Sequence, residues 1–291
     1  MGLGVVTAFK KVAKFRPHVA ISTGAYASIP GATACVLQRV PQVLIVVDAS
    51  PGHAARMIGR FAAHIAVTTQ EARSRFPQAT TQVTGLPLRA EFHSPDSSQA
   101  RRRLKMDTDL PIILIAGGSQ GARIINEVVG SILKPLLKLA TIVHLTGSRD
   151  IAAYEALRHE LPNQIRTRYH PISFLKQGLA DLMSAADLAI TRAGGTTHEL
   201  AATGLPSILI PGLFAHGHQE ANAHHLAAAG AAVTISEIDL DGQKLLNTVI
   251  EMLSDKKGLK KMSLAAASLG TLSAADSIAE TLLHMTNPQA T

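Results

Sequence analysis

The sequence has no tryptophan, only three tyrosines and seven phenylalanines among its 291 residues. With no basic–aromatic cluster, it offers no stacking platform for single-stranded nucleic acid, and no nucleic-acid partner is expected. Cys35 is its one cysteine, which excludes an internal disulfide and suits a reducing compartment. No apolar run reaches the ~18 residues that a membrane-spanning helix requires. Residues 1–20 carry lysines inside their only apolar stretch, so they do not read as a secretory signal. A cytoplasmic protein is the simplest expectation.

What is present is aliphatic and basic. Hydrophobic residues make up 46%, and the formal net charge is +7. A core of Ala, Leu, Ile and Val suits helices packed on a parallel sheet. The positive balance leaves a membrane surface or an anionic substrate open as partners. The length exceeds what one core usually takes, so two domains are expected.

Short apolar runs alternate with helical patterns. Strands are expected at 18–23, 42–48, 63–68, 81–84, 111–116, 141–145, 187–191 and 207–210, several of them ending in glycine or proline. Helices are expected at 122–139 and 175–186, and the stretch 256–285 is helical in pattern. The polar segment 92–109, broken by Pro95, reads as a linker with some helix in it. Near the start, Val5, Phe9, Val12 and Ala13 fall at helical spacing among Lys10, Lys11, Lys14 and Arg16. Such a basic amphipathic helix can lie on an anionic membrane. An ordinary surface helix with a solvated face has the same pattern.

Three strand ends carry the chemistry. The first, 115–122 (IAGGSQGA), closes an apolar strand and opens a helix. Glycines there let backbone approach a ligand, and the free N–H groups of the helix suit a diphosphate. A plain βα turn capped by Ser119 is the simpler alternative. The loop is neither a P-loop, lacking Lys-Ser/Thr after its last glycine, nor the dinucleotide fingerprint, whose glycine spacing differs. The second, 191–200 (TRAGGTTHEL), places Thr196 and Glu199 at capping-box spacing, so Glu199 either caps its own helix or accepts hydrogen bonds from ribose hydroxyls. The third, 211–222 (PGLFAHGHQEAN), opens a helix with His218, Gln219, Glu220 and Asn222. Ligands of open α/β sheets bind beyond the carboxyl ends of the strands, so three such loops in one domain say more than any one. The paired histidines 216/218 and 224/225 match no zinc spacing, and no metal site is expected.

Taken together, GGSQGAR (117–123), RAGG-TT-HELAATGLP (192–206) and HQEANAHHLAAAGAA (218–232) resemble the MurG family. These are the peptidoglycan N-acetylglucosaminyltransferases of glycosyltransferase family 28. TGAYASIPG (23–31) and GLPLRAEF (85–92) are similar to that family's N-terminal and domain-junction segments, so the resemblance covers nearly the whole chain. It implies an α/β fold of GT-B type, with two Rossmann-like domains and parallel sheets. The implied division is a partial acceptor and membrane-associated domain at 1–94, a linker at 95–108, a UDP-sugar-binding domain at 109–275, and a C-terminal helix at 276–291 that packs back on the first domain.

The implied activity is inverting transfer of N-acetylglucosamine from UDP-N-acetylglucosamine to undecaprenyl-diphospho-muramoylpentapeptide, on the cytoplasmic side of the membrane, with no cofactor. Carried over by position, Ser119 and the glycines 117, 118 and 121 form the diphosphate loop, with Gly195, Thr196 and Thr197 beside it. Glu199 holds the ribose, Leu175 meets uracil through its backbone, Gln219 contacts the sugar, and Arg89 reaches the donor.

Three departures accompany the resemblance. The family's opening Gly-rich loop with its histidine has no counterpart here, so the N-terminal domain is expected to be incomplete. The family's His-Glu-Gln-Asn segment is Ile45-Val46-Val47-Asp48, and no general base is named. The loop from Arg192 to Glu199 is one residue shorter. Alternatives are a donor-binding subunit completed by another chain, a non-catalytic UDP-sugar-binding protein, and a relative acting on another lipid such as diacylglycerol.

Overall fold

The computed structural model describes residues 2–77, 79–93, 96–104, 106, 110–118, 121–213 and 217–286. The chain forms two compact units, Met1–Leu88 with Thr271–Thr291, and Arg89–Gly270.

The first unit opens with α1 (Gly2–Phe15). It continues through β1 (Ala20–Ser22), α2 (Ile29–Leu37), β2 (Gln42–Val46), α3 (His53–Gly59), β3 (His64–Val67), α4 (Gln70–Ser74) and β4 (Thr81–Val83). All pairings are parallel, in the order β1-β2-β3-β4. β2 is buried at every position, as an apolar run covered on both faces must be. Leu44, Val46, Ile65 and Val67 meet Ile29, Ala54, Ile58 and Phe76 in one core.

The second unit begins with a single 3-10 turn, Ala90–Phe92, and α5 (Ser97–Leu104). Next come β5 (Ile112–Ala116), α6 (Arg123–Ser131), α7 (Leu133–Leu139), β6 (Thr141–Leu145), α8 (Ile151–Glu160), α9 (Asn163–Arg166) and β7 (Tyr169–Ile172). Then follow α10 (Leu179–Ala185), β8 (Leu188–Thr191), α11 (Thr196–Thr203), β9 (Ser207–Leu209), α12 (His218–Ala228), β10 (Ala232–Thr234), α13 (Gly242–Ser254) and α14 (Lys256–Leu269). Its sheet is parallel throughout, in the order β10-β9-β8-β5-β6-β7. Asp187 pins the start of β5: its Oδ2 accepts from the Ile112 N–H (2.8 Å) and from Arg101 of α5 (2.6 Å).

The chain then returns to the first unit as α15 (Ala274–Thr286). There Ile278 covers Ile45 and Ala66, with Leu86 and Leu282 alongside.

Several elements depart from the sequence pattern, each for a local reason. The expected helix 122–139 breaks at Ile132 (φ −112°, ψ 14°). Pro135 has no N–H to give, and its ring crowds the carbonyl four residues back, at Ser131. The helix expected from 175 starts only at Leu179, because Gly178 sits in the left-handed region (φ 84°). The helical stretch 256–285 is two helices, parted at Gly270, which lies tight against the Ala201 carbonyl. β7 and β10 were not foreseen. Both are edge strands, and β7 carries Pro171, which an edge tolerates because no neighbour needs its missing donor.

Candidate functional site

In the second sheet β5 lies between β6 and β8, so the chain winds away from it in both directions. Loops leaving the carboxyl ends of β5 and β8 therefore part there and open a crevice. The loop after β5 is held very tightly. A Cβ on Gly117 would collide with the Ala122 backbone N, and one on Gly121 (φ 77°) with the Thr146 carbonyl. The Gly121 N–H donates to the Gly118 carbonyl (3.0 Å). Only glycine satisfies both the positive φ and the close approach. Ser119 lies outside the described residues.

A buried polar chain backs this loop. The Asn126 amide on α6 donates to the Thr146 carbonyl (2.9 Å) and to Asp150 Oδ2 (2.8 Å). Its Oδ1 faces His144 Nε2 (3.1 Å), and His144 Nδ1 faces the Tyr169 hydroxyl (2.9 Å). With the Asn126 donors already committed, His144 carries its proton on Nε2 and accepts from tyrosine on Nδ1. Burial lowers the His144 pKa to about 4 against the opposing charge of Asp150, so the ring is neutral.

The loop after β8 is equally fixed. Arg192 donates to the Ile210 carbonyl (3.2 Å) and to Glu237 Oε2 (2.7 Å), which also accepts from the Leu213 N–H (3.1 Å). Burial pushes the Glu237 pKa up, but the Arg192 and Leu213 hydrogen bonds outweigh it and leave it lowered. Asn222 donates to the Ala193 carbonyl (3.0 Å), and the Thr197 hydroxyl to the Gly194 carbonyl (2.8 Å). Gly195, not Thr196, stands at the N-cap of α11, so the Thr196–Glu199 pair is out of register for a capping box. The capping alternative for Glu199 is therefore not realised. Its carboxylate instead faces Arg89 Nη2 at 3.6 Å. Burial raises the Glu199 pKa, the Arg89 charge opposes this, and Glu91 adds to it.

Between these loops lies a cleft of about 300 Å³. Arg89, Gly118, Leu175, Thr196 and Glu199 line it, together with Ala116, Leu145, Ser173, Phe174 and Lys176. Gly117, Gly121, Gly195 and Thr197 shape the loops behind it. Gln219 is not among its described lining residues, and its side-chain oxygen accepts from the Gly212 N–H (2.8 Å). The sequence reading missed Glu91, which joins Arg89 and the turn before α10. Its position two residues after Arg89 was the available signal. Among the described residues no three His, Cys, Asp or Glu side chains gather as a metal cluster.

Two units of parallel sheet, one with a glycine-rich crevice at its switch point, define the GT-B class of nucleotide-sugar proteins. Residues 112–282 match the glycosyltransferase family 28 C-terminal domain. Curated relatives named UDP-N-acetylglucosamine–N-acetylmuramyl-(pentapeptide) pyrophosphoryl-undecaprenol N-acetylglucosamine transferase include that of Moorella thermoacetica. It is 37% identical over 97% of this chain and 78% of its own length. The Desulforudis audaxviator protein of the same name is 36% identical over 95% and 76%. The chain belongs to this family of N-acetylglucosaminyltransferases. The crystal structure of Acinetobacter baumannii MurG matches with TM-score 0.74 at 24% identity, covering 96% of this chain and 77% of the other. A UDP-GlcNAc 2-epimerase from Neisseria meningitidis also matches at 0.74, with 15% identity over 96% and 80%, and shares the fold.

Proposed function

We propose that the cleft binds UDP-N-acetylglucosamine and that the chain transfers the sugar to undecaprenyl-diphospho-muramoylpentapeptide, with inversion. The observation that carries this reading is the meeting of Arg89, Gly118, Leu175, Thr196 and Glu199 on one cleft at the switch point. The turn Ser173–Lys176 would receive uracil. Glu199 would accept from the ribose hydroxyls, and the loop 117–121 with the start of α6 would hold the diphosphate.

The acceptor hydroxyl oxygen forms a bond to the anomeric carbon as that carbon's bond to the diphosphate oxygen breaks. UDP leaves with the electron pair, and the hydroxyl proton passes to a base. Preorganised N–H groups at the loop and helix start stabilise the charge that develops on UDP.

Calorimetric titration with UDP-N-acetylglucosamine, with UDP-glucose as control, tests the donor site. Selective binding is expected. Glu199→Ala should weaken it roughly ten- to a hundredfold, the worth of a hydrogen bond to a charged group. Absence of binding by either nucleotide sugar would sink the donor reading. A donor-binding chain completed by another polypeptide is the alternative, and it predicts tight donor binding with no turnover by this chain alone.

The helix α1 supports a membrane-facing role. It has no buried residue. Leu3 and Phe15 are 89% and 81% exposed, and Lys10, Lys11, Lys14 and Arg16 lie along and just after it. No described helix is long and apolar enough to cross a membrane, so contact would be peripheral. Sedimentation with anionic vesicles at low salt tests this: protein that stays in the supernatant rules it out.

A further inference from the structure

Glu91 touches two parts of the cleft at once. Its Oε1 stands 2.8 Å from Arg89 Nη1, as a charge contact without hydrogen-bond alignment. Its Oε2 accepts from the Gly178 N–H (2.9 Å). Gly178 closes the turn that follows Ser173–Lys176, in the left-handed conformation that starts α10. Arg89 also stands over the Phe92 ring, 5.4 Å from its centroid. Its guanidinium therefore lies between two carboxylates, much nearer to Glu91 than to Glu199, which is 3.6 Å away.

We propose that Glu91 is a positioning residue for the nucleotide, holding Arg89 back from Glu199 and tethering the base-facing turn through the Gly178 N–H. The proposal rests on the nucleotide-sugar reading of this cleft. Its physical basis is competition for one cation. A carboxylate locked to an arginine has fewer lone pairs free for hydroxyl donors. With the Glu91 charge present, the Arg89–Glu199 contact stays loose and Glu199 can accept from ribose. With that charge removed, Glu199 is the carboxylate left beside the guanidinium among the described residues, and ribose must displace it. The second arm is separate, because a neutral acceptor at position 91 can still receive the Gly178 N–H.

Glu91→Gln removes the charge and keeps an acceptor, Glu91→Ala removes both, and Glu91→Asp keeps the charge. UDP, 2′-deoxy-UDP and CDP are titrated into each variant and into the unaltered chain. The 2′-deoxy-UDP to UDP ratio of Kd reports the ribose contact, and the CDP to UDP ratio reports base recognition. Both ratios cancel any change in the folded fraction.

In Glu91→Gln the ribose ratio should fall by about three- to tenfold, the range of a single hydrogen bond, while base recognition holds. In Glu91→Ala both should fall, and Glu91→Asp should restore the ribose ratio. A ribose ratio in Glu91→Gln equal to that of the unaltered chain would overturn the proposal, as would equal loss of base recognition in Gln and Ala variants. Failure of the unaltered chain to bind UDP at all would instead remove the nucleotide-sugar reading, and the proposal with it, before any variant is compared.

Discussion

The two units use the same βα construction, yet among the described residues it is the second that joins a strand-order reversal to a strand-end crevice. The described strands of the first unit follow one another across the sheet in chain order, so successive loops leave in one direction. In the second unit the order reverses around β5, and two glycine-rich loops part from neighbouring strand ends. Composition does not make this difference, since β5 is apolar, β2 is apolar but for Gln42, and both are wholly buried. Strand order does: a reversal leaves a gap that helices do not fill.

Glycine substitution breaks that comparison most sharply. Gly24 in the first unit and Gly121 in the second both have positive φ, 74° and 77°, and both lie against packed atoms. Alanine at either should cost roughly 1–3 kcal/mol of stability from backbone strain. Gly121→Ala should also weaken UDP binding roughly ten- to a hundredfold, the worth of a lost hydrogen bond to a charged phosphate. Gly24→Ala should leave UDP binding unchanged. Thermal melting and calorimetry on the two variants check both statements, and equal binding losses would erase the distinction drawn between the units.

Acid should weaken both units next. His144 in the second unit has its pKa lowered by burial to about 4. His64 in the first is also lowered by burial, with a hydrogen bond to Gln82 opposing. A histidine whose folded pKa lies below its unfolded value disfavours the fold once the unfolded chain takes up the proton. Its stabilising contribution is thus complete above about pH 6.5 and is lost as pH falls from there toward 4. For His144 the loss should reach up to about 3 kcal/mol. Denaturant melts between pH 7 and 4 should show this slope, and His144→Gln should flatten it.

The smallest effect per residue concerns α1. Replacing Lys10, Lys11 and Lys14 with glutamine should reduce affinity for anionic vesicles by about 1 kcal/mol per charge. Nucleotide binding in the second unit should not change. A fall in both would contradict the separation of roles.

How much of this was legible in the sequence depended on burial. The central strands announced themselves because each carries a short, mostly apolar run. β7 and β10 did not, since edge strands bury less and tolerate His170, Pro171 and Thr234. The helix breaks at Pro135 and Gly270 were local signals hidden by the helical period around them. In the site, glycine loops were readable because backbone geometry demands that residue. Side-chain direction was not. The spacing of Thr196 and Glu199 equally suited a capping box, and the helix start at Gly195 with the packing beside Arg89 decided otherwise. Glu91 teaches the same lesson, because the Gly178 N–H that it holds lies on a different segment of chain.

The return of α15 to the first unit has a consequence for biosynthesis. Ile278, which covers Ile45 and Ala66, is translated about two hundred residues after them. At about 5–20 residues per second, the ribosome needs roughly ten to forty seconds to pass from the first segment to the second. The second unit, contiguous in the chain, can complete its core during that interval. The first unit waits with an open apolar face until α15 emerges, and that is the period in which a chaperone has most to cover.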